Sequence, residues 1–197
     1  MFEITKKEDI IIPFEKIGDE NWEKNTRFIL TADGDELPEV VTEEEIQDIE
    51  KYLGAKLPDS LKLFYKTFGV ADIGEELIDL DSICYLTEFL GEDNEYISEF
   101  SEEDNEALPY LVWFGDYLGN GNKFCFHTKT HEIYYFDHDT YPYLVKLFDD
   151  FSDYLKGCLI FKQLDYVSDE KWAKFEEVLE EVVSEFISEE VIEKWRY

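Results

Sequence analysis

An α+β chain is predicted, with helical and strand-forming stretches in separate parts of the sequence. Three observations predict it. Capped, amphipathic helical patterns fill residues 42–69. Three strand-like runs joined by short turns fill residues 108–136. Helical patterns return from residue 144 and continue to the end. The chain has 197 residues, within the usual size of one domain, roughly 100–200. No internal repeat and no Pro/Gly/Ser-rich linker interrupts it. One domain is therefore expected, with a core at about 42–156, an N-terminal segment 1–41 and a helical extension 158–197.

Residues 1–41 are the least patterned. The run from Asp9 through Pro13 and the trio Phe28-Ile-Leu30 each read as strand candidates, and Thr31 to Glu36 as an acidic loop rich in turn formers. Thr42-Glu-Glu-Glu45 is a capping box: the Thr42 hydroxyl accepts from an orphan amide while Glu45 reaches back. Ile46, Ile49, Tyr52 and Leu53 follow on one helical face. Gly54 suits the left-handed residue that ends a helix. Leu57-Pro58 opens a second helix with a stripe of Leu61, Phe64, Tyr65 and Phe68, stopped by Gly69. Leu77 to Leu80 is a short strand candidate, Ile83 to Leu90 a helical one, and the acidic stretch from Gly91 to Asn105 a solvated loop.

The strand block comes next. Leu108 to Phe114, Lys123 to His127 and Glu132 to Phe136 are rich in β-branched and aromatic residues. Asn120-Gly121 marks a tight turn, and Thr128 to His131 a hairpin connection. Leu144, Leu147, Phe148, Phe151 and Leu155 share one helical face, which predicts a helix over 144–155. Ser168 is read as the cap of a long helix with a stripe of Trp172, Phe175, Leu179, Val182, Val183 and Phe186. Ser188 opens a last short helix through Trp195. The long stripe suits packing within the chain; if left uncovered it would make a homodimer, so monomer and homodimer through the C-terminal helix both stay open.

Charge excludes several function classes. Asp plus Glu total 49 against 18 Lys plus Arg, a net charge of −31. Nucleic acids and anionic lipids need a cationic surface that releases counterions, so neither is an expected partner. A basic protein is favoured, because such a field raises association rates by ~10–1000-fold at low salt. Acidity also keeps a chain soluble with no partner at all. Cys84, Cys125 and Cys158 leave one thiol over in any pairing and match neither a disulfide framework nor a zinc knuckle. They are expected to be reduced core thiols. The first residues lack the basic-then-apolar order of a signal peptide, and no apolar run approaches the ~18 residues of a membrane span. A cytoplasmic location is expected.

A search for chemistry yields weak candidates. His127 and His131 are four apart, but across a predicted turn and not on a helix. Asp137-His138-Asp139 has the composition to orient an imidazole, yet at a strand end it reads as a turn. Cys125 and His127 alternate onto one strand face without a third group to complete a nucleophilic set. Gly115, Gly119 and Gly121 are not followed by Gly-Lys-Ser/Thr or by a helix, so they form no phosphate loop. Asp33-Gly-Asp35 and Glu92-Asp-Asn94 fit no calcium loop. No catalytic, metal or cofactor site is assigned.

Three segments taken in order resemble the SUKH superfamily of the Smi/Knr cell-wall-regulator type. The first is Thr42 to Ile46 with Glu50, Leu53-Gly54, Leu57-Pro58, Leu61, Phe64 and Phe68-Gly69. The second is Phe114-Gly-Asp-Tyr-Leu-Gly-Asn120, Phe124-Cys-Phe126 and Glu132 to Asp139. The third is Leu147 to Leu155, like the family's closing helix. The resemblance covers about residues 42–156. Residues 1–41 hold only a loose analogue of the family's leading segment, and residues 158–197 extend past its usual end. It implies a largely antiparallel sheet flanked by helices and a non-catalytic role. Bacterial members are mostly immunity proteins that block a cognate polymorphic toxin, often a nuclease, and fungal members regulate cell-wall synthesis through protein contacts.

The expectation is thus an immunity-type protein that binds and neutralises a basic toxin. The alternatives are a regulatory or scaffold module with no toxin partner and, furthest away, an enzyme built on His127, Asp137 and His138. Strand side chains alternate, so part of the aromatic content must face away from the core. Trp113, Asp116, Tyr117, Tyr135 and Asp137 are the partner-contact candidates, since aromatics supply interface hot spots.

Overall fold

The computed structural model describes residues 2–91, 100–117 and 119–196. Its first strong local signal folds as the sequence dictates. Helix α2 (Glu43–Leu53) begins at Thr42, whose hydroxyl accepts from Glu45 N at 3.2 Å while the Glu45 carboxylate accepts from Thr42 N at 2.7 Å. It ends at Gly54, held at φ 65°. Helix α3 (Asp59–Phe68) follows after Pro58 and buries Leu61, Phe64, Tyr65 and Phe68. Glu50, buried on α2, accepts from Leu57 N at 3.2 Å and from Lys62 Nζ at 3.4 Å, which fixes the turn between the two helices.

Six strands form one sheet in which every pairing is antiparallel. They are β1 (Glu76–Leu77), β2 (Cys84–Tyr85), β3 (Leu111–Asp116), β4 (Lys123–His127), β5 (Ile133–Phe136) and β6 (Leu144–Phe148). The main order is β1-β3-β4-β5-β6, with β2 beside β3. The hairpin turns lie where Asn120-Gly121 and Thr128 to His131 place them. β4 is buried along its whole length because both sheet faces are covered. Phe114, Phe124, Phe126, Ile133 and Tyr135 point into a large helical core. Leu111, Cys125, Phe136 and Leu144 point into a smaller one closed by Leu86, Phe100 and Leu108.

The large core is built around α6 (Phe151–Phe161), buried on nearly every side. α6 packs against α1 (Trp22–Thr31), α3, β6 and α7 (Trp172–Val183). The last helix, α8 (Glu189–Arg196), returns to β6 and buries Ile192 and Trp195. On the other face lie α4 (Leu86–Leu90) and α5 (Glu102–Ala107). Eight α-helices are thus present among the described residues, and the C-terminal ones follow the sheet.

Several expectations need correction. The helix expected over 144–155 is two elements: β6, then α6 from Phe151. The break is Asp149-Asp150, where the Asp150 carboxylate accepts from Ser152 N at 2.5 Å and Asp153 N at 3.3 Å as the α6 cap. Phe28 to Leu30 is helical, within α1, where Trp22, Thr26, Ile29 and Leu30 form the buried face. Asp9 to Pro13 forms no strand. Its backbone instead meets a side chain: Gln163 Oε1 accepts from Ile11 N and Gln163 Nε2 donates to Ile11 O, both at 2.8 Å. The helix expected at Ile83 to Leu90 starts as β2 and becomes α4. Of the loop expected at Gly91 to Asn105, residues 92–99 lie outside the described residues, and Ser101 caps α5 through a box with Asp104. Leu108 to Tyr110 is a 3-10 turn, so that strand starts at Leu111. Ser168 makes no side-chain cap, and Trp172 is 42 % exposed, outside the buried stripe of α7. Tyr52 points outward, 60 % exposed.

The two segments flanking the central region meet each other. Ile4 N donates to Tyr166 O at 2.8 Å, the Tyr166 hydroxyl donates to Ile29 O, and Lys7 pairs with Glu181 at 3.2 Å. The N-terminal segment is thereby tied to the chain beyond α6.

Candidate functional site

The contact candidates divide between the two faces of the sheet. In a regular strand, Trp113 and Asp116 would point to opposite sides, being three apart. A bulge in the β3–β4 pairing between Trp113 and Gly115 changes that parity. Both residues therefore stand on the face of the smaller core, joined by one cation. Lys123 pairs with the Asp116 carboxylate, and its Nζ lies 4.8 Å from the ring centroids of Trp113 and of Phe89. The Trp113 Nε1 donates to Cys84 Sγ at 2.9 Å. Phe89 stacks on Trp113 at 5.3 Å and is 45 % exposed. This gives a small aromatic patch floored by a buried ion pair.

Tyr117 and Tyr135 belong to the opposite face, with ring centroids 6.2 Å apart. Tyr135 is 6 % exposed and stacks on Phe124 at 5.1 Å. Burial raises the pKa of both phenols. The Tyr135 hydroxyl accepts from Asn122 Nδ2 at 2.7 Å. Asn122 Oδ1 in turn accepts from His138 N at 3.0 Å and stands 2.6 Å from His138 Nδ1. Asp137 caps the following turn, accepting from Asp139 N at 2.9 Å and Thr140 N at 3.3 Å. The five candidates thus form a Trp113–Asp116 pair on one face, a Tyr117–Tyr135 pair on the other, and a turn residue.

The groups weighed for chemistry are held in structural roles. Burial lowers the pKa of His127, and its Nδ1 accepts from Thr130 N at 3.2 Å and Lys129 N at 3.3 Å, closing the β4–β5 turn. Burial pushes the thiols of Cys84, Cys125 and Cys158 up, away from the nucleophilic thiolate. Cys125 and Cys158 are buried and Cys84 is partly exposed. Asp137, His138 and Asp139 bring one metal-ligating atom each within 4.8 Å of one another. His138, however, engages Asn122 through Nδ1 and Asp139 through Nε2 at 3.3 Å.

The outer surface carries features that reading the sequence alone missed. One groove of about 670 Å³ lies beside α2, and another of about 790 Å³ lies between α7 and α8. Each is lined by five carboxylate side chains and no Lys, Arg or His. Tyr52 stands in the wall of the first, and its hydroxyl lies 3.0 Å from both carboxylate oxygens of Glu88. Its outward position has a signal in the sequence: Ile46, Ile49 and Leu53 already complete a narrow stripe, and Tyr52 lies at its margin.

A buried charge sits under the C-terminal helix. Glu75 is 2 % exposed, and burial pushes its carboxyl up to about 8 although Arg196 stands 3.6 Å away. Trp195 Nε1 is near enough to favour the anion, but among the described residues neither that N–H nor either Glu75 oxygen makes a hydrogen bond, and Arg196 is held by charge alone. Among the described residues no helix is long and apolar enough to cross a membrane.

The family model of the SMI1 / KNR4 family (SUKH-1) matches residues 40–157, more than half of the chain. Comparisons with curated proteins and with solved structures gave no match.

Proposed function

Because the chain belongs to the SMI1/KNR4 family (SUKH-1), we propose that it acts by binding a protein, as an immunity-type factor that neutralises a basic toxin without chemistry of its own. The family match over residues 40–157 carries this reading. The charge supports it: a net −31 draws in a basic partner and repels nucleic acid. The protonated thiols and the turn-closing role of His127 support a binding role over a catalytic one.

Contact is placed on the outer patch of Trp113 and Phe89 and on the Asp137 turn. Asp116 holds the patch through Lys123, and Tyr135, stacked against Tyr117, holds the turn through Asn122 and His138. Co-expression with the toxin encoded beside this gene tests the proposal. Survival of the host is expected, and continued killing at full expression of both chains would remove it. Recovery of endogenous host proteins in a pull-down, without protection, would favour the regulatory or scaffold role instead.

A further inference from the structure

We propose that the groove beside α2 receives a basic amphipathic segment of the protein partner, with apolar side chains on its floor and Lys or Arg side chains on its rim. This rests on the protein-binding reading above and names the surface.

The groove differs from a mere cluster of acids. Its floor is apolar: Ile49 is buried, and Val41, Val70 and Leu80 pack partly exposed against the main core. Val40 and Tyr52 stand 52 % and 60 % exposed in its lining, apolar surface that folding leaves in water. The rim is acidic, formed by Glu39, Glu45, Asp48, Asp79 and Asp81. Glu45 is used by the α2 cap, and Asp81 has one long contact from Ser82 Oγ at 3.4 Å. Glu39, Asp48 and Asp79 make no side-chain hydrogen bond or ion pair among the described residues.

An apolar floor with an unneutralised acidic rim is complementary to a helix or extended segment that carries apolar anchors between cations. The occupant must be a protein segment, because a nucleic acid or lipid headgroup would place its phosphates against the rim. The α7–α8 groove supplies the contrast. It has as many carboxylates but only Ile192 as an apolar side chain, and Glu181 there is already paired with Lys7. At the wall of the α2 groove, Tyr52 bonds Glu88 of α4, the helix that also carries Phe89 of the aromatic patch.

The test uses the full chain and two synthetic peptides of equal length and lysine content. One alternates Leu and Lys at helical spacing, and the other has Ser in place of Leu. Titration at 150 mM salt is followed by calorimetry and by amide chemical shifts. The Leu/Lys peptide should bind more tightly, and its shifts should centre on Val41, Ile49, Val70 and Leu80. A triple variant, Asp48→Asn with Asp79→Asn and Asp81→Asn, should weaken it about 10-fold or more, and Tyr52→Ala should weaken it as well. Glu177→Gln with Glu189→Gln and Glu193→Gln removes the same charge from the other groove and should weaken it less than about 3-fold. All substitutions lie at the surface, and thermal melts report that the fold is kept. Equal binding of the two peptides, or equal loss in the two triple variants, overturns the proposal. The toxin assay separates the two levels: protection by the wild type that survives in the Asp48/Asp79/Asp81 variant removes the groove and leaves the neutralising role standing.

Discussion

Gly157→Ala should destabilise this protein, although helix chemistry alone says the opposite. Gly157 lies inside α6, where alanine is ordinarily better than glycine by about 0.5–1 kcal/mol. Here the added Cβ would stand 2.8 Å from both Cη2 and Cζ3 of Trp195 and 3.2 Å from Ile187 Cδ1. Trp195 has nowhere to retreat: it is 2 % exposed, with Phe148, Phe161 and Tyr154 at ring distances of 5.3, 5.5 and 6.0 Å. Overpacking of this kind costs about 1–3 kcal/mol. Set against the helix gain, the net loss is about 1 kcal/mol, a fall in Tm of about 2–4 °C for a chain of this size. Trp195→Ala alone should cost about 3–5 kcal/mol. In that background Gly157→Ala should change sign and stabilise by up to about 0.5–1 kcal/mol, because the indole clash is gone and only the flexible end of Ile187 has to give way. Urea unfolding of the four proteins of the cycle, followed by far-UV circular dichroism, measures both numbers. Stabilisation by Gly157→Ala in the wild-type background would refute the docking of α8 onto α6.

Three further outcomes follow from named contacts. The folded pKa of Glu75, about 8, lies above its ordinary 4.5, so the stability of the uncharged form is whole below about 4.5 and is lost as pH rises through 8. Glu75→Gln should therefore gain on the wild type between pH 5 and 9, by a few kcal/mol at most, and parallel urea midpoints across that range would contradict it. Thr42→Ala should cost about 1 kcal/mol through the α2 cap, whereas Ser168→Ala, whose hydroxyl caps nothing, should stay within about 0.5 kcal/mol by the same unfolding assay. Lys123→Met should cost about 3–5 kcal/mol by stranding Asp116 in the protein, and Lys123→Met with Asp116→Asn should recover much of that. Equal losses in the single and double variants would show that the ion pair is not what Lys123 supplies.

The parts of the fold legible in the sequence are those fixed by local chemistry. The Thr42 box, Pro58, Gly54 and Gly69 act within a turn of their own position, and α2 and α3 follow them. The Asn120-Gly121 and Thr128 to His131 turns likewise set β4 and β5. What failed depended on distant partners or on ambiguous spacing. Leu144, Leu147 and Phe148 satisfy a helical stripe, yet as a strand they pair with β5, and only the Asp150 cap marks the change. The apolar neighbours of Ile11 suggest a strand, but its backbone is satisfied by the Gln163 side chain, far along the chain. The candidate site was legible in composition more than in geometry. Trp113 and Asp116 share a face because of a bulge at Gly115, a glycine that reads equally well as the end of the strand, and Tyr135 is buried by Tyr117 and Phe124. The α2 groove was missed because its floor joins four separate stretches of chain.

The flanks of the family match also acquire a physical role. Residues before 40 and after 157 lie outside that match, yet they bond to each other through Ile4–Tyr166, Ile11–Gln163 and Lys7–Glu181. α8 then covers the sheet by Trp195. Each flank thus needs the other for part of its burial and backbone pairing.

Titration of the purified toxin domain with the purified chain tests the central claim most directly, with toxin activity and intact masses read at each ratio. Binding without chemistry predicts inhibition that rises to a stoichiometric end point, weakens with added salt, and leaves both masses unchanged. Inhibition complete at a small fraction of one equivalent, with a changed mass on the toxin, would contradict it.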